Sequence, residues 1–446
     1  MIANRGEIAL RINRACQELG VRTVAVFSEA DRESLHVRQA DEAFCVGPGP
    51  AARSYLNIPN IISTALVTGC DAVHPGYGFL AENARFAEIC ADHGLTFIGP
   101  KPSVIAEMGD KATAKRVMKD AGVATTPGTG ILGTAEEARK AAESVGYPVL
   151  LKATAGGGGK GMRAVERAGD LARAFASATA EAEASFKDGR LYMEKLIIDP
   201  RHIEVQVLGD EFGNIVHLGE RDCSVQKPSH QKLIEEAPAS NLSVKARDAL
   251  HDMAVRACKH VRYSNAGTLE FLASGDKVYF MEMNTRIQVE HPVTEMVYGI
   301  DLVKEQIRVS AGEKLGYTQK DLVPRGHAIE CRINAEDSRN NFAPEAGTLN
   351  HVMFPGGPGI RVDTHIFAGA KVPPYYDSML AKIVAFGETR EAAIARMERA
   401  LRETVVEGVS TTIAQCLEIL ATPQFRSGKY DIGFLPALLA AQAALR

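Results

Sequence analysis

The sequence predicts an α/β protein of several domains, and three observations lead there. Residues 1–98 alternate short apolar runs with helical segments, four consecutive glycines separate two strand-like runs near residue 158, and two further strand-like runs within 266–284 set carboxylates opposite each other. Alternating strand and helix units are the pattern of a parallel sheet flanked by helices. At 446 residues the chain exceeds one ordinary core, so two or three domains are expected.

The first unit, 1–98, runs MIA, GEIALRINRACQEL, RTVAVFS, AFCVG, IPNIISTALVTG, DAVHPG and TFIG. Its first turn, Asn4-Arg5-Gly6, carries one glycine where a dinucleotide fingerprint needs three, so the shape is Rossmann-like without an NAD site. HPGYGFLAEN (74–83) follows a strand, at the sheet end where open α/β folds hold ligands, which turns Tyr77 and Glu82 toward a cleft. Residues 99–123 read as a Pro-rich linker that continues as helix and brings Lys111 in shortly after Gly109.

The second unit, 124–197, has strand-like YPVLLKA and MRAV around TAGGGGKG, then an Ala- and Glu-rich helix and LYMEKLI. Glycines let backbone N–H groups approach anionic oxygens. A Walker loop ends G-K-[ST] and opens a helix, whereas Lys160 is followed by Gly161 and a β-like run, so a glycine-hinged lid over a nucleotide is expected. Lys152, at a strand end, is placed to reach a phosphate, and Glu194 with the backbone near Lys195 and Leu196 to read an adenine edge.

The third region divides into 198–323 and 324–446. It opens with the polar run ERDCSVQKPSHQK, holding Gln226, His230, Gln231 and Lys232. AGTLEFL and KVYFMEMN then form a hairpin through Ser274, Gly275 and Asp276, which sets Glu270 opposite Glu282. Carboxylate and amide oxygens suit a hard cation, and Mg²⁺ takes one or two carboxylates together with phosphate oxygens, so Glu270, Glu282 and Asn284 are the expected ligands. IDLVKEQIRVSAG and TREAAIARMERALRETV read as helices, the latter with Ile394, Met397 and Leu401 at helical spacing, and LPALLAAQAALR reads as a core helix.

A net charge of −4 with interspersed Lys and Arg excludes a nucleic-acid footprint. Eight cysteines without a CxxC pair form neither a disulfide framework nor a zinc site and suggest a reducing cytosol. No apolar run reaches signal-peptide or bilayer-spanning length, so a cytoplasmic protein is expected.

HPGYGFLAEN, MGDK, KATAGGGGKGM, MEK, PRHIEVQV, ERDCSVQ, HQK, EEAP, GTLEF, EMNTRIQVEHPVTE, ECRINAED and VPPYYDSMLAKI together resemble the biotin carboxylase family across nearly the whole chain. The resemblance implies an ATP-grasp fold: an N-terminal Rossmann-like domain (1–98), a linker (99–123), a lid (124–197), a catalytic subdomain (198–323) and a C-terminal domain (324–446). It implies that Mg·ATP, or Mn·ATP, and bicarbonate form carboxyphosphate, whose CO₂ is captured by N1′ of carrier-borne biotin. Lys111, Lys152, Gly158, Gly159, Glu194, Lys195, Leu196, Ile197, His202, Gln226, His230 and Leu272 would bind the nucleotide. Glu270, Glu282 and Asn284 would hold the metal, and Lys232, Arg286, Gln288 and Val289 would cradle bicarbonate. Glu290 would be the general base, with Lys232 and Arg286 also catalytic, while Arg332 and Tyr77 would face biotin.

Arg332 has an alternative in a plain ion pair with Glu330 or Glu336. Where the family commonly reads Q-R-R-H-Q-K, this chain reads Q-K-P-S-H-Q-K, one residue longer with Pro228 inside, and only Met1, Ile2 and Ala3 precede NRGE. The expected partners are a biotin carboxyl carrier protein, a carboxyltransferase and a second copy of the chain, in an acetyl-CoA carboxylase. The alternatives are the carboxylase portion of a propionyl-CoA, methylcrotonyl-CoA, pyruvate or urea carboxylase, or a non-catalytic nucleotide-binding relative.

Overall fold

The computed structural model describes residues 1–154 and 162–444. In the first unit β1 (Val24–Ser28) pairs in parallel with β2 (Glu42–Gly47), and β3 (Ala72–Val73) with β4 (Thr96–Phe97). The expected first strand is reduced to bridges from Ile2 to Ala25 and His74 before helix Gly6–Glu18 begins. Gly76 has φ +64, and a Cβ there would lie 3.0 Å from the Asn4 amide, so this turn of the HPGYG run accepts only glycine without strain.

The expected linker is two helices, Pro102–Gly109 and Lys111–Asp120, the second capped by the Asp110 side chain accepting from Thr113 N–H at 2.7 Å. Their buried Val104, Met108, Val117 and Met118 pack with Ile203, Val205, Leu269 and Phe280, so this segment belongs to the catalytic core. Lys111 is the first residue of the second helix, in the stretch read as continuing in helix.

The lid is an antiparallel sheet in the order β5 (Gly128–Leu132), β8 (Leu191–Lys195), β6 (Val149–Ala153), β7 (Met162–Val165). Its helices Ala135–Val145 and Leu171–Phe186 close a separate core around Leu151, Met193 and Phe175. Gly158 and Gly159 lie outside the described residues.

The largest sheet collects β9 (Arg201–Gly209), β10 (Ile215–Gln226), β11 (Lys232–Ala237), β12 (Asn265–Ser274), β13 (Lys277–Asn284), β14 (His327–Asn334) and the strands Ile360–Thr364 and Met379–Gly387. Its order is β13-β12-β9-β10-β11-β14, then Met379–Gly387 and Ile360–Thr364. The β11–β14 pairing carries it across the expected boundary at 323/324, so the catalytic and C-terminal parts share one sheet. Residue 270 faces 282 on one side and 204 on the other, as the hairpin reading required for the first pair.

Helix Arg390–Glu403 buries Ile394, Met397 and Leu401 as their spacing predicts. The last helix, Phe434–Ala444, joins the core along one side: Leu435 is buried, and Phe434, Leu438 and Leu439 pack against the same cluster as Ile394, Met397 and Leu401. Its alanines make helix readily but are exposed, so the burial rests on the leucines. Among the described residues no helix is long and apolar enough to cross a membrane.

Candidate active site

A cleft of roughly 930 Å³ opens between the first unit, the lid and the large sheet, and nearly every expected site residue that the structure describes lines it. Its floor is a row of carboxylates, because the antiparallel registers bring Glu204, Glu270 and Glu282 side by side on neighbouring strands. Such a row is intolerable without cations. Lys232, at the start of β11, answers it with Nζ at 2.6 Å from Glu204, 3.1 Å from Glu270 and 2.6 Å from Glu290.

Burial alone would strip the Lys232 proton, but the three carboxylates hold its pKa well above the ordinary lysine value. Burial likewise favours neutral Glu270 and Glu290. Lys232 outweighs it, aided by His202 at the first and by Arg332 and Arg221 at the second, and both carboxyls stay ionised far below the usual range. Glu290 is thus a ready carboxylate held by Lys232 on one oxygen and, at 2.8 Å, by Arg332 on the other.

Arg332 also donates to Glu235 at 2.6 Å, which corrects the alternative pairing with Glu330 or Glu336. Glu330 is fully buried with both oxygens unpartnered, and burial, with Glu235 and Glu290 nearby, raises its pKa well above the ordinary value. Glu336 is taken by Lys227 at 2.6 Å. Glu235 is pushed up to about 7 by burial, with Arg332 pulling against it.

Glu282 differs from Glu270: burial and the neighbouring Glu270 raise its pKa, and Lys111 stands 3.8 Å away. This under-compensated carboxylate beside a second one, with the Asn284 amide next to both, is a donor set of hard oxygens that fits a divalent cation. Asn284 donates to Glu270 at 2.9 Å and accepts from Arg286 at 2.9 Å. Arg286 also holds Glu82 at 2.8 Å, which joins the HPGYGFLAEN loop to the site. Gln288 donates to Glu270 at 2.8 Å and accepts from Arg221 at 2.7 Å, and the Val289 carbonyl accepts from Lys382 at 2.9 Å. Tyr77 lines the same cleft, its hydroxyl bonded to Glu7.

Toward the lid, Lys152 reaches Glu194 at 2.6 Å, while Leu272, Leu196 and Ile197 supply apolar wall. The Lys195 side chain turns to the carbonyls of Gly146 and Tyr147, at 2.9 and 2.7 Å, so Lys195 offers the cleft its backbone rather than its charge. The N–H groups of Lys195 and Leu196 are spent on Pro127 and Pro148, at 2.7 and 3.1 Å. His202 sits between Gln226, at 2.9 Å, and Glu270, at 3.1 Å. Despite its burial, Glu270 raises the His202 pKa. Gln226, His230 and Gln231 line the cleft on the loop before Lys232.

Four contributors escaped the sequence reading. Lys115 lies one helical turn beyond Lys111, enters the cleft, pairs with Glu194 and stands 5.2 Å from the Tyr192 ring centre. Its spacing was the available signal. Arg221, fully buried, bonds Glu204, Gln206, Thr268, Gln288 and Thr294 and holds the carboxylate row from behind. Arg221 and Glu204 stand inside quoted motifs, and Glu235 in EEAP, but no local pattern told their side chains from neighbouring ones.

Three family models match the chain: the biotin carboxylase N-terminal domain over 1–105, the carbamoyl-phosphate synthase L chain ATP binding domain over 110–318, and the biotin carboxylase C-terminal domain over 330–437. The chain is 54% identical over 98% of its length to a biotin carboxylase of Nostoc, of which it covers 98%, and 53% identical to biotin carboxylase 1 of Bacillus subtilis, at 98% and 97% coverage. It is similar to the crystal structure of a Campylobacter jejuni biotin carboxylase–β,γ-ATP complex, with TM-score 0.94, 49% identity and 98% of each chain covered. It is also similar to the biotin carboxylase domain dimer of Hydrogenobacter thermophilus 2-oxoglutarate carboxylase, solved with MgADP, ADP and bicarbonate, with TM-score 0.93, 50% identity, and 98% and 96% covered.

Proposed function

The chain belongs to the biotin carboxylase family, and from that premise we propose how its own residues carry the ATP-dependent carboxylation of biotin. One observation supports the reading most: Glu290 is shared by Lys232 and Arg332, so the base stands between a bicarbonate-side and a biotin-side cation. Bicarbonate, an anion, is received by Lys232, Arg286, Gln288 and the Val289 backbone, where the guanidinium can grip it bidentately. Glu290 takes its proton, and the bicarbonate oxygen attacks the γ-phosphorus of ATP, breaking the bond to the β-phosphate oxygen so that ADP leaves. The carboxyphosphate so formed breaks down to CO₂ and phosphate, phosphate removes the biotin N1′ proton while the Arg332 guanidinium stabilises the enolate oxygen, and N1′ attacks the CO₂ carbon to give carboxybiotin. Glu270, Glu282 and Asn284 would hold Mg²⁺, or Mn²⁺, which neutralises phosphate charge when bound. Lys111, Lys115 and Lys152 hold the phosphates, and Glu194 to Ile197 the adenine.

The acceptor in this reading is a biotin carboxyl carrier protein, passing carboxyl to a carboxyltransferase of a cytoplasmic, fatty-acid-synthesising acetyl-CoA carboxylase, with the chain as a homodimer. The similarity to a 2-oxoglutarate carboxylase domain supports a second reading, that of a carboxylase acting on another acyl acceptor. The intact set of Glu270, Glu282, Arg286, Glu290 and Arg332 speaks against a non-catalytic relative. The test is bicarbonate-dependent ATP hydrolysis with and without free biotin: stimulation is expected, and ATP binding without it would sink the reading.

Two further outcomes are expected. Burial and neighbouring lysines lower Lys152 to about 8 and Lys115 to about 7, so both lose charge as pH rises. ATP affinity of the free enzyme should weaken from pH 7 to 9, and Lys152→Arg should flatten that dependence in calorimetric titrations. Glu282→Gln should raise the Mg²⁺ concentration for half-maximal rate by about tenfold, the loss of one charged ligand. An unchanged Mg²⁺ requirement would remove Glu282 from the metal set.

A further inference from the structure

The stretch between Gln226 and Lys232 is exposed at its tip and anchored by a buried charge at its root. Residues 228–231 are exposed, yet Lys227 at their root has a side chain only 1% exposed. Two backbone bonds close the loop, Lys227 N–H to Gln231 at 2.9 Å and His230 N–H to Lys227 at 2.8 Å, with His230 at φ 62. Pro228 contributes no N–H. The strands on either side hold the loop's ends, with Gln226 paired to Lys232, and between them its one buried side-chain anchor is the Lys227 ammonium.

That ammonium meets Glu336 at 2.6 Å and lies 5.2 Å from the Phe342 ring centre. The same Glu336 carboxylate accepts from Ser378 at 2.6 Å and Asn334 at 3.3 Å. Asn334 ends β14, two residues beyond Arg332, and Ser378 lies between the cleft-lining Asp377 and Met379. The β11–β14 pairing already sets Lys232 beside the Arg332 strand, and the buried ion pair fastens the loop that presents His230 and Gln231 to the two segments forming the biotin-side wall. A buried charge pair is a poor source of net stability against apolar replacement, and fixing one arrangement is its best-attested use.

We propose that Lys227 and Glu336 are a positioning pair, setting the distance between the His230–Gln231 loop and the Arg332 wall so that CO₂ formed on one side is captured on the other. Neither residue touches substrate. The inference rests on the carboxylase reading and adds to it the coupling of its two half-reactions. Without the pair, ATP is still cleaved but less of it carboxylates biotin.

The experiment compares wild type, Lys227→Met, Lys227→Arg and the double variant Lys227→Met/Glu336→Gln, measuring ATP consumed, carboxybiotin formed, the KM values and thermal midpoint. Lys227→Met should lower carboxybiotin formed per ATP about tenfold and raise the KM for ATP several-fold, since displacements near 1 Å can cost about a hundredfold in rate. Lys227→Arg should restore the ratio. The double variant, which leaves no unpaired buried charge, should recover the thermal midpoint but not the ratio, and it carries the test should the single variant fail to fold. A ratio and KM equal to wild type in the double variant would overturn the proposal and leave a structural pair. Absence of biotin-stimulated ATP hydrolysis in wild type would instead overturn the carboxylase reading.

Discussion

Glu290→Gln lowers bicarbonate-dependent ATP turnover by roughly 10²- to 10⁴-fold, the range that a positioned general base supplies, while ATP still binds. The carboxylate is built for the task by its surroundings. Burial opposes its charge, yet Lys232, Arg332 and Arg221 hold it ionised far below the normal range, so it is present as the carboxylate, and its basicity rises as substrate draws those cations away. The amide of glutamine keeps the shape and one acceptor oxygen but takes no proton. Because Glu290 bonds Lys232 and Arg332 while Lys152 bonds Glu194, nucleotide affinity measured by calorimetry should stay within a few-fold of wild type. Turnover near the wild-type rate in the variant would assign the base elsewhere, with Glu270 the other cleft-lining carboxylate on Lys232.

Arg332→Met lowers biotin carboxylation by about 10²- to 10³-fold, the loss seen when one preorganised oxyanion donor is removed. Bicarbonate-dependent ATP hydrolysis without biotin falls much less, because the guanidinium serves the biotin side. Some loss in that background reaction is expected all the same. Arg332 holds both Glu290 and Glu235, so its removal leaves Glu235 buried without its cation and pushes that carboxyl further above the value of about 7 it already has. Lysine at this position keeps the charge but not the fork that spans two carboxylates, and should recover only part of the activity. Equal losses with and without biotin would show that Arg332 acts through Glu290 alone.

Much of this site was legible in the chain. Period-two alternation and the turn at Ser274, Gly275 and Asp276 were enough to place Glu270 opposite Glu282, and the register shows that pair. Period 3.6 located the buried face of Arg390–Glu403. The C-terminal helix packs on the core through Phe434, Leu435, Leu438 and Leu439, but its Ala-rich sequence carries no strong stripe to say which side is covered. At 99–123 the helical continuation is there as two helices, but whether they pack on a distant strand depends on contacts such as Met118 with the core of β9 and β12.

Arg332 shows the same limit at the site itself. Sequence proximity offered Glu330 and Glu336 as partners, two and four residues away, but β14 pairs with β11 and the guanidinium turns instead to Glu235 and to Glu290. Local spacing can state which residues share a strand face; it cannot state which remote charge will be brought beside them.

The sequence by itself determined the family, the α/β units and which charged groups line the cleft, because these follow from residue type and short spacing. Tertiary structure alone decided their partners and charge states: that Lys232 answers three carboxylates, that Arg221 and Lys115 belong to the site, and that Lys227 is buried on Glu336. The physical reason is that pKa and ion pairing depend on burial and on charges brought together by strand order, here across more than a hundred residues between Lys227 and Glu336.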